Sequence, residues 1–524
     1  MTTPATGDLH LPAPLMPGDL DPARSRPAAD VVNRMTTRTL FGYRAEPDQR
    51  DWRAVEPVGD LAMAVPSTYN AGLGASLRSY VVHLRPGVRW DTEPPRGVTA
   101  HDVVRGFARA CSPTARPAGI EFLLSGVRGM RGYADRYAGA VAGHERDVAR
   151  HRAFRATNAI PGVFALDDES LVIEFERPAL DAVDILALPC LAPAPVEYDA
   201  IVPGDDDFVR YARSTGPYRI AGLDPDGGVL LEPNPVWDPA IDPLRERAFG
   251  GVTLRPGAPA PDVAPDTEVP EVLHACLLPN AGPGRPLADP ALLRLVASAV
   301  APELVAAAAE AHLPGVRAAT RVVPPGNSGN PGDGPDRERL DPDPPSGPAD
   351  GTTLVLVRPD TTFASVVADA VAGCLERAGI RVTVRAIGAA AHAELLYGDS
   401  DGDGEHDLLL TGWAARWRHH NYRAYLQPLL TRRTGRVDGT VFDVLIDEAL
   451  DADSDPRAAK AAWARVEEAA MTRAAVIPLL HGPPLAARRV PGMGQVTPMY
   501  SLGMAADPVA LRPEGSPAAD RLPV

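Results

Sequence analysis

"STGPYRIAGLDPDGGVLLEPNPVWDP", Ser214 to Pro239, carries the reading of the fold. It reads as a tight turn, a strand, a second turn at Asp226-Gly227-Gly228 and a second strand. Gly216 permits backbone angles closed to other residues, and Pro217 fixes one. Tyr218 follows as a buried tyrosine with a satisfied hydroxyl or as a residue reaching a ligand.

Working outward, similar units flank it. "SYVVHLRPGVRW" (Ser79 to Trp90) is a strand ending in a turn at Pro86-Gly87. "VTAHDVVRGFARAC" then starts a helix. Thr99 is its N-cap, and Asp102 is placed to reach back to the cap N–H and to favour the helix dipole. Val103, Val104 and Phe107 share one face. "DDESLVIEFERP" (Asp167 to Pro178) alternates as a half-buried strand.

The C-terminal half changes character. "LLRLVASAVAPELVAAAAEA" reads as one Ala-rich helix. Pro324 to Gly351 is rich in Pro, Gly and Asp, has little to bury, and is expected to be a mobile linker. "GTTLVLVRPD", "FASVVADAVAGCLERAG" and "IRVTVRAIG" form a β-α-β unit with a helix stop at Ala378-Gly379, which suits parallel strands. "HDLLLTGWAARW" is a buried strand running into a loop. "AAKAAWARVEEAAMTRAAVIPLLHG" is an amphipathic helix followed by an apolar strand.

Composition bounds the function. The 524 residues exceed one ordinary core, and 45% hydrophobic with 23% charged residues is normal for a globular chain. A net charge of −16 argues against a nucleic-acid partner. Lys460 is the sole lysine, which speaks against Schiff-base chemistry. Cys111, Cys190, Cys276 and Cys374 are scattered, form no CxxC, and fit buried thiols better than a disulfide framework. The N-terminus shows no signal peptide or lipobox, and no apolar run is long enough to span a membrane. The expected location is cytoplasmic as written, or extracytoplasmic if a leader is missing from this sequence.

In this order the segments resemble family 5 solute-binding proteins of ABC importers, the dipeptide, oligopeptide and nickel-chelate class. The matching stretches are "DLDPARS", "HLRPGVRW" with "VTAHDVV", "STGPYRI" with "LEPNPVWDP", "CLERAGIRVTV", "HDLLLTGW" and "RVEEAAMTRAAVIPLLHG". They cover roughly residues 20 to 500. The resemblance implies an α/β, two-lobed periplasmic-binding-protein-like fold (type II, cluster C). Lobe I would comprise 1–55, 166–249 and 485–524, with 56–165 as an inserted subdomain. Lobe II would comprise 250–484. A ligand would be captured by hinge closure, without chemistry.

"GWAARWRHH" (Gly412 to His420) is the candidate binding loop. In peptide-binding relatives this loop carries an Asp that pairs with the peptide's α-ammonium. Arg416 falls at that position here, Trp417 takes the aromatic position, and His419-His420 replace Asp-Pro. An ammonium facing a desolvated arginine would be repelled, and losing the partner of a buried charge costs about 3–5 kcal/mol. Arg416 suits a carboxylate or phosphate instead, and Trp413 and Trp417 would supply flat apolar walls. Trp413, Arg416, Trp417, His419, His420 and Tyr218 are therefore the candidate ligand-binding residues. A metal chelate held through Arg and His, and a solvent-facing lip with no ligand, are the alternatives for the loop.

Other motifs fall short. "DSDGDGEHD" (Asp399 to Asp407) opens like a calcium loop but has Leu410 at its twelfth position, so it reads as a solvated loop. "HERDVARH" (His144 to His151) lacks HExxH spacing and reads as an exposed helix. No nucleophile, metal or cofactor motif appears, so catalytic residues and cofactors are assigned as none. Only about 25 residues separate the hinge from "LLPNAGPGRPLADP", shorter than in relatives, so lobe II is expected to be trimmed.

The expected function is capture of a peptide-like or other small solute for an ABC permease, by a monomer, without a ligand ammonium–Asp pair. The alternative is a cytoplasmic protein of the same fold that binds or transforms a small metabolite. In that case Arg416, His419 and His420 would be the first residues to consider for acid–base chemistry.

Overall fold

The computed structural model describes residues 5–12, 17–27, 29–255, 262–327, 352–397, 406–431, 437–490 and 492–515. The calcium-loop-like stretch before His406 and most of the Pro/Gly-rich linker lie outside them. The chain divides into two compact units: 1–264 with 486–524, and 265–485.

The first unit is built on a four-stranded sheet in the order Ala5–Pro12, Phe249–Arg255, Val229–Pro233, Tyr218–Leu223. The hairpin read from the sequence is present, with Val229 opposite Leu223. Asp224 closes its turn by accepting from Gly228 N at 2.6 Å and Asp226 N at 3.0 Å, while Gly227 takes φ +81°. One of the strands comes from the chain's beginning and three from its middle. Their core is completed from the far end: Leu9, Leu11, Val229, Val252 and Leu254 pack in one cluster with Ala487, Val490, Val509 and Leu511. The division falls after Ala264, not after residue 249 as the sequence suggested. The reason is that Phe249–Arg255 pairs with both Ala5–Pro12 and Val229–Leu231 of the first unit.

A second sheet of this unit has three strands, Ser79–His83, Ser170–Glu174 and Val163–Ala165. Ser170–Glu174 is central and covered on both faces: Leu171, Val172 and Ile173 are all buried. The half-buried alternation expected there is not what forms, because both faces of this strand are packed over. Helix Ala100–Ala110 follows as expected, with Thr99 N donating to Asp102 Oδ2 at 3.0 Å across the cap. The same carboxylate accepts from the Trp90 indole at 3.0 Å and pairs with Arg96 and Arg105.

Family-signature residues do structural work in this unit. Asn234 is fully buried; its amide donates to Gly216 O at 2.9 Å and its backbone N–H to Pro217 O at 2.9 Å, stapling the turn to the end of the hairpin. Gly216 is not in the left-handed region. A side chain there would put Cβ 2.5 Å from Met35 O, so close approach, not backbone freedom, demands glycine. Asp21 of "DLDPARS" accepts from Arg109 Nη2 at 2.6 Å and Gly204 N at 2.8 Å, both fully buried contacts.

The second unit holds a six-stranded mixed sheet in the order Arg317–Ala318, Ile477–Gly482, Val272–Pro279, Leu408–Trp413, Thr353–Pro359, Arg381–Ile387. Thr353–Pro359 runs parallel to both its neighbours, as the β-α-β reading required. The crossover helix Thr362–Arg377 starts on Thr361, whose hydroxyl accepts from Ala364 N at 3.2 Å. It buries Val367, Val371 and Leu375 at four-residue spacing, each worth about 2 kcal/mol. Gly379, φ +83°, ends it. Helix Pro456–Thr472 precedes the buried strand Ile477–Gly482, again as expected.

The Ala-rich helix is two helices. Pro290–Ala299 and Pro302–Ala309 meet at a bend of 47°, because Pro302 cannot continue the first. Among the described residues no single helix is long and apolar enough to cross a membrane. The four cysteines are all buried and form no disulfide among the described residues.

Chain crossings between the units occur at strands Asp262–Pro265 and Leu485–Arg489, which pair with each other.

Candidate functional site

The loop Gly412 to His420 starts where strand Leu408–Trp413 leaves the second unit's sheet. Leu408 to Thr411 are buried, Gly412 emerges, and Trp413 is half-buried. Gly412 is required by its neighbour: a Cβ would lie 2.6 Å from His274 O on the adjacent strand. Two histidines under this strand are already committed. His274 and His392 bond through Nε2 to Pro483 O and Leu410 O, each at 2.9 Å. Burial holds both imidazoles below their ordinary value, so they stay neutral near pH 7.

Both ends of the loop are clamped. The Trp413 indole donates to Ala424 O at 2.8 Å, in the first turn of helix Tyr422–Thr431, and its ring lies 6.2 Å from Tyr397. At the other end the buried Asn421 amide donates to Asn327 Oδ1 at 2.6 Å. Asn327 in turn donates to Glu271 O at 2.8 Å. A loop fixed at both ends can present side chains in a set geometry.

The predicted residues separate into groups. Trp417 has no exposed surface and belongs to the unit's packing. Trp413 and Arg416 are half-buried; His419 and His420 are exposed, with His420 held at φ +46°. Arg418, which the sequence reading passed over, is half-buried like Arg416. The loop's half-buried polar side chains are thus two arginines, a pair suited to carboxylate or phosphate oxygens. The alternating R-x-R within "RWR" was the available signal.

Tyr218 stands apart, in the first unit. It is buried, its hydroxyl bonds to Phe249 (O at 3.3 Å, N at 3.1 Å), and burial pushes its phenol up to about 12.

The first unit offers a second polar feature, a recess of about 20 Å³ lined by residues including Asn33, Arg34, Tyr43 and Arg245. The arginines here are spoken for. Arg34 pairs with Asp507 at 3.0 Å, and Arg245 with Asp60 at 2.8 Å. Asn33 is different: it is 4% exposed, and among the described residues neither Nδ2 nor Oδ1 has a partner. Leaving such a buried group unmatched costs about 1–3 kcal/mol. Its donor and acceptor together complement a peptide group.

His151 of "HERDVARH" is buried, with Nδ1 2.8 Å from the Tyr137 hydroxyl and Nε2 2.9 Å from Glu145 O. Among the described residues no group of three or more His, Cys, Asp or Glu is placed to hold a metal ion.

The class of protein follows from the fold: a periplasmic-binding-protein-like α/β chain. Residues 75–263 match the family described as bacterial extracellular solute-binding proteins, family 5 Middle. Among solved structures, the chain is similar to clavulanic acid biosynthesis oligopeptide binding protein 2, at 24% identity and TM-score 0.69, covering 97% of this chain and 95% of that one. It is also similar to the Escherichia coli murein tripeptide binding protein MppA, at 16% identity and TM-score 0.71, covering 97% and 98%. The Haemophilus influenzae OppA complex with RPPGFSPFR gives 15% identity, TM-score 0.71, and the same coverage. A curated relative, the probable deoxycholate-binding periplasmic protein YgiS of Escherichia coli (strain K12), is 32% identical over 120 residues, only 22% of this chain and 18% of that protein. The resemblance drawn from the motifs is matched over residues 75–263 by the family 5 middle region, and the chain as a whole shares the fold of these solved structures.

Proposed function

We propose that this protein is a solute-binding protein of an ABC importer, acting outside the membrane. It captures a peptide-like or other small solute bearing a carboxylate or similar anionic group. The observation that carries this reading is the pair Arg416 and Arg418, both half-buried on a clamped loop at the end of a sheet strand. Arg416, standing where relatives pair an Asp with the ligand's ammonium, supports an inverted polarity. Hinge closure on the solute, which the resemblance implies, belongs to the same proposal.

The test is a thermal-shift and calorimetric screen of peptides, small carboxylic and phosphorylated metabolites, and metal chelates. The expected result is binding of carboxylate-bearing solutes that weakens in Arg416→Ala. Tight binding of a plain tripeptide, unchanged in Arg416→Ala, would sink the anionic reading. Turnover of a bound acid would favour the second reading that Arg416 also motivates: a protein of this fold adapted to transform a small metabolite.

A further inference from the structure

A second cavity, about 370 Å³, lies wholly within the first unit, and its lining includes no residue of the loop just described. It is bordered by Asp91, by the Val209–Arg213 stretch, and by Tyr218–Leu223, an edge strand of the four-stranded sheet. Its volume falls within the range of small-molecule sites.

Its charges are unusual in how they are left. Arg219 and Glu232 satisfy each other at 2.7 Å across the hairpin. Asp91 and Arg213 do not: among the described residues neither has an ion pair. Asp91 accepts one backbone bond, from Ser214 N at 2.6 Å. Arg213 donates from Nη1 to the backbone carbonyls of Ala212 at 2.8 Å and Tyr211 at 3.3 Å, and its buried Nε has no partner. Burial raises the Asp91 carboxyl even though Arg213 and Arg219 pull it down, so it is desolvated without being neutralised by contact. The lining thus holds an acid with no ion-paired cation and a cation with no ion-paired acid among the described residues. Glu93 adds acid beside Asp91, and Arg210 adds cation beside Arg213. Val209 and Ile220 supply apolar lining.

We propose that this cavity binds an aliphatic α-amino acid zwitterion, its ammonium on Asp91 and its carboxylate on Arg213. A single molecule carrying both charges spans two groups that do not reach each other, and its side chain rests against Val209 and Ile220. The site is independent of the solute-binding reading above.

Calorimetric titration of the full chain with L-leucine, N-acetyl-L-leucine and L-leucinamide tests it. L-leucine binds; each blocked form, lacking one charge, binds at least tenfold more weakly. Asp91→Asn keeps the bond from Ser214 yet weakens L-leucine at least tenfold and abolishes the penalty for N-acetylation. Arg213→Gln does the same for the amide. No L-leucine binding at millimolar concentration, or equal binding of the blocked forms, would each overturn the site. The comparison of blocked and unblocked ligands uses the unaltered chain and stands even where a variant misfolds.

Discussion

Tyr43 donates a 2.7 Å hydrogen bond to Oδ1 of Asp184, joining the lining of the Asn33 recess to a short helix far along the chain. Burial pushes the Asp184 carboxyl up to about 8, with Asp181 adding to the rise and Tyr43 opposing it. In the unfolded chain the ordinary value is 3.8. The folded state therefore holds this proton more tightly between those limits. The stabilisation is complete below 3.8 and is lost as pH rises through about 8. Asp184→Asn keeps an acceptor for Tyr43 and removes the cost of ionising a buried acid. It is expected to raise stability at pH 8 by at least about 1 kcal/mol and to flatten the decline on the alkaline side. Urea denaturation from pH 5 to 9 measures both.

His481 gives the opposite sign. It is 2% exposed, and burial lowers its imidazole from 6.5 to about 4. The unfolded chain binds more protons between those values, so the contribution is full above 6.5 and fades as pH falls towards 4. A shift of this size corresponds to about 3 kcal/mol. His481→Gln should be less sensitive than the unaltered chain to acid between pH 6.5 and 4, whatever its stability at pH 7. Melting temperatures across that range decide it; parallel curves would refute the assignment.

Asp102 gathers Trp90, Arg96, Arg105 and the Thr99 backbone into one carboxylate. Asp102→Ala strands the indole N–H and opens the helix cap. The two arginines are partly exposed and can regain water, which discounts the usual penalty for breaking a buried pair. The expected loss is about 2–3 kcal/mol, read as a lower urea midpoint, with Asp102→Asn in between.

Arg416 and Arg418 should act together on an anionic solute. Each single alanine variant is expected to weaken binding by roughly tenfold, and the double variant by more than either. Arg→Lys at either position should restore charge but not full affinity, because a point charge cannot pair two oxygens. Calorimetry on the solute found by screening makes the comparison.

How much of this was legible in the sequence depends on the range of the interactions. The hairpin at Asp226-Gly227-Gly228 and the β-α-β unit whose helix stops at Gly379 are local and periodic, and both formed as read. The Pro302 bend was also local, and the Ala-rich composition masked it. Trp417 and Arg418 were harder: adjacent in a loop, one is fully buried and one is not, and only the packing of strand, loop and following helix decides which. Asn33 could not be found from sequence. Its surroundings include Pro189, Arg245 and Leu502, which arrive from distant parts of the chain. Gly216 shows a subtler miss: the residue was read as special for its backbone angles, while the pressure on it comes from Met35 O.

The backbone N–H of Asp266 donates to Pro484 O at 2.9 Å, so the entry and exit of the second unit meet. That unit is an insertion with a single doorway. On a growing chain it can be complete once residue 485 has emerged, while the first unit still lacks Ala487, Val490, Val509 and Leu511 from its core. Synthesis order therefore runs against unit order: the half that begins first is the half that must wait to be finished.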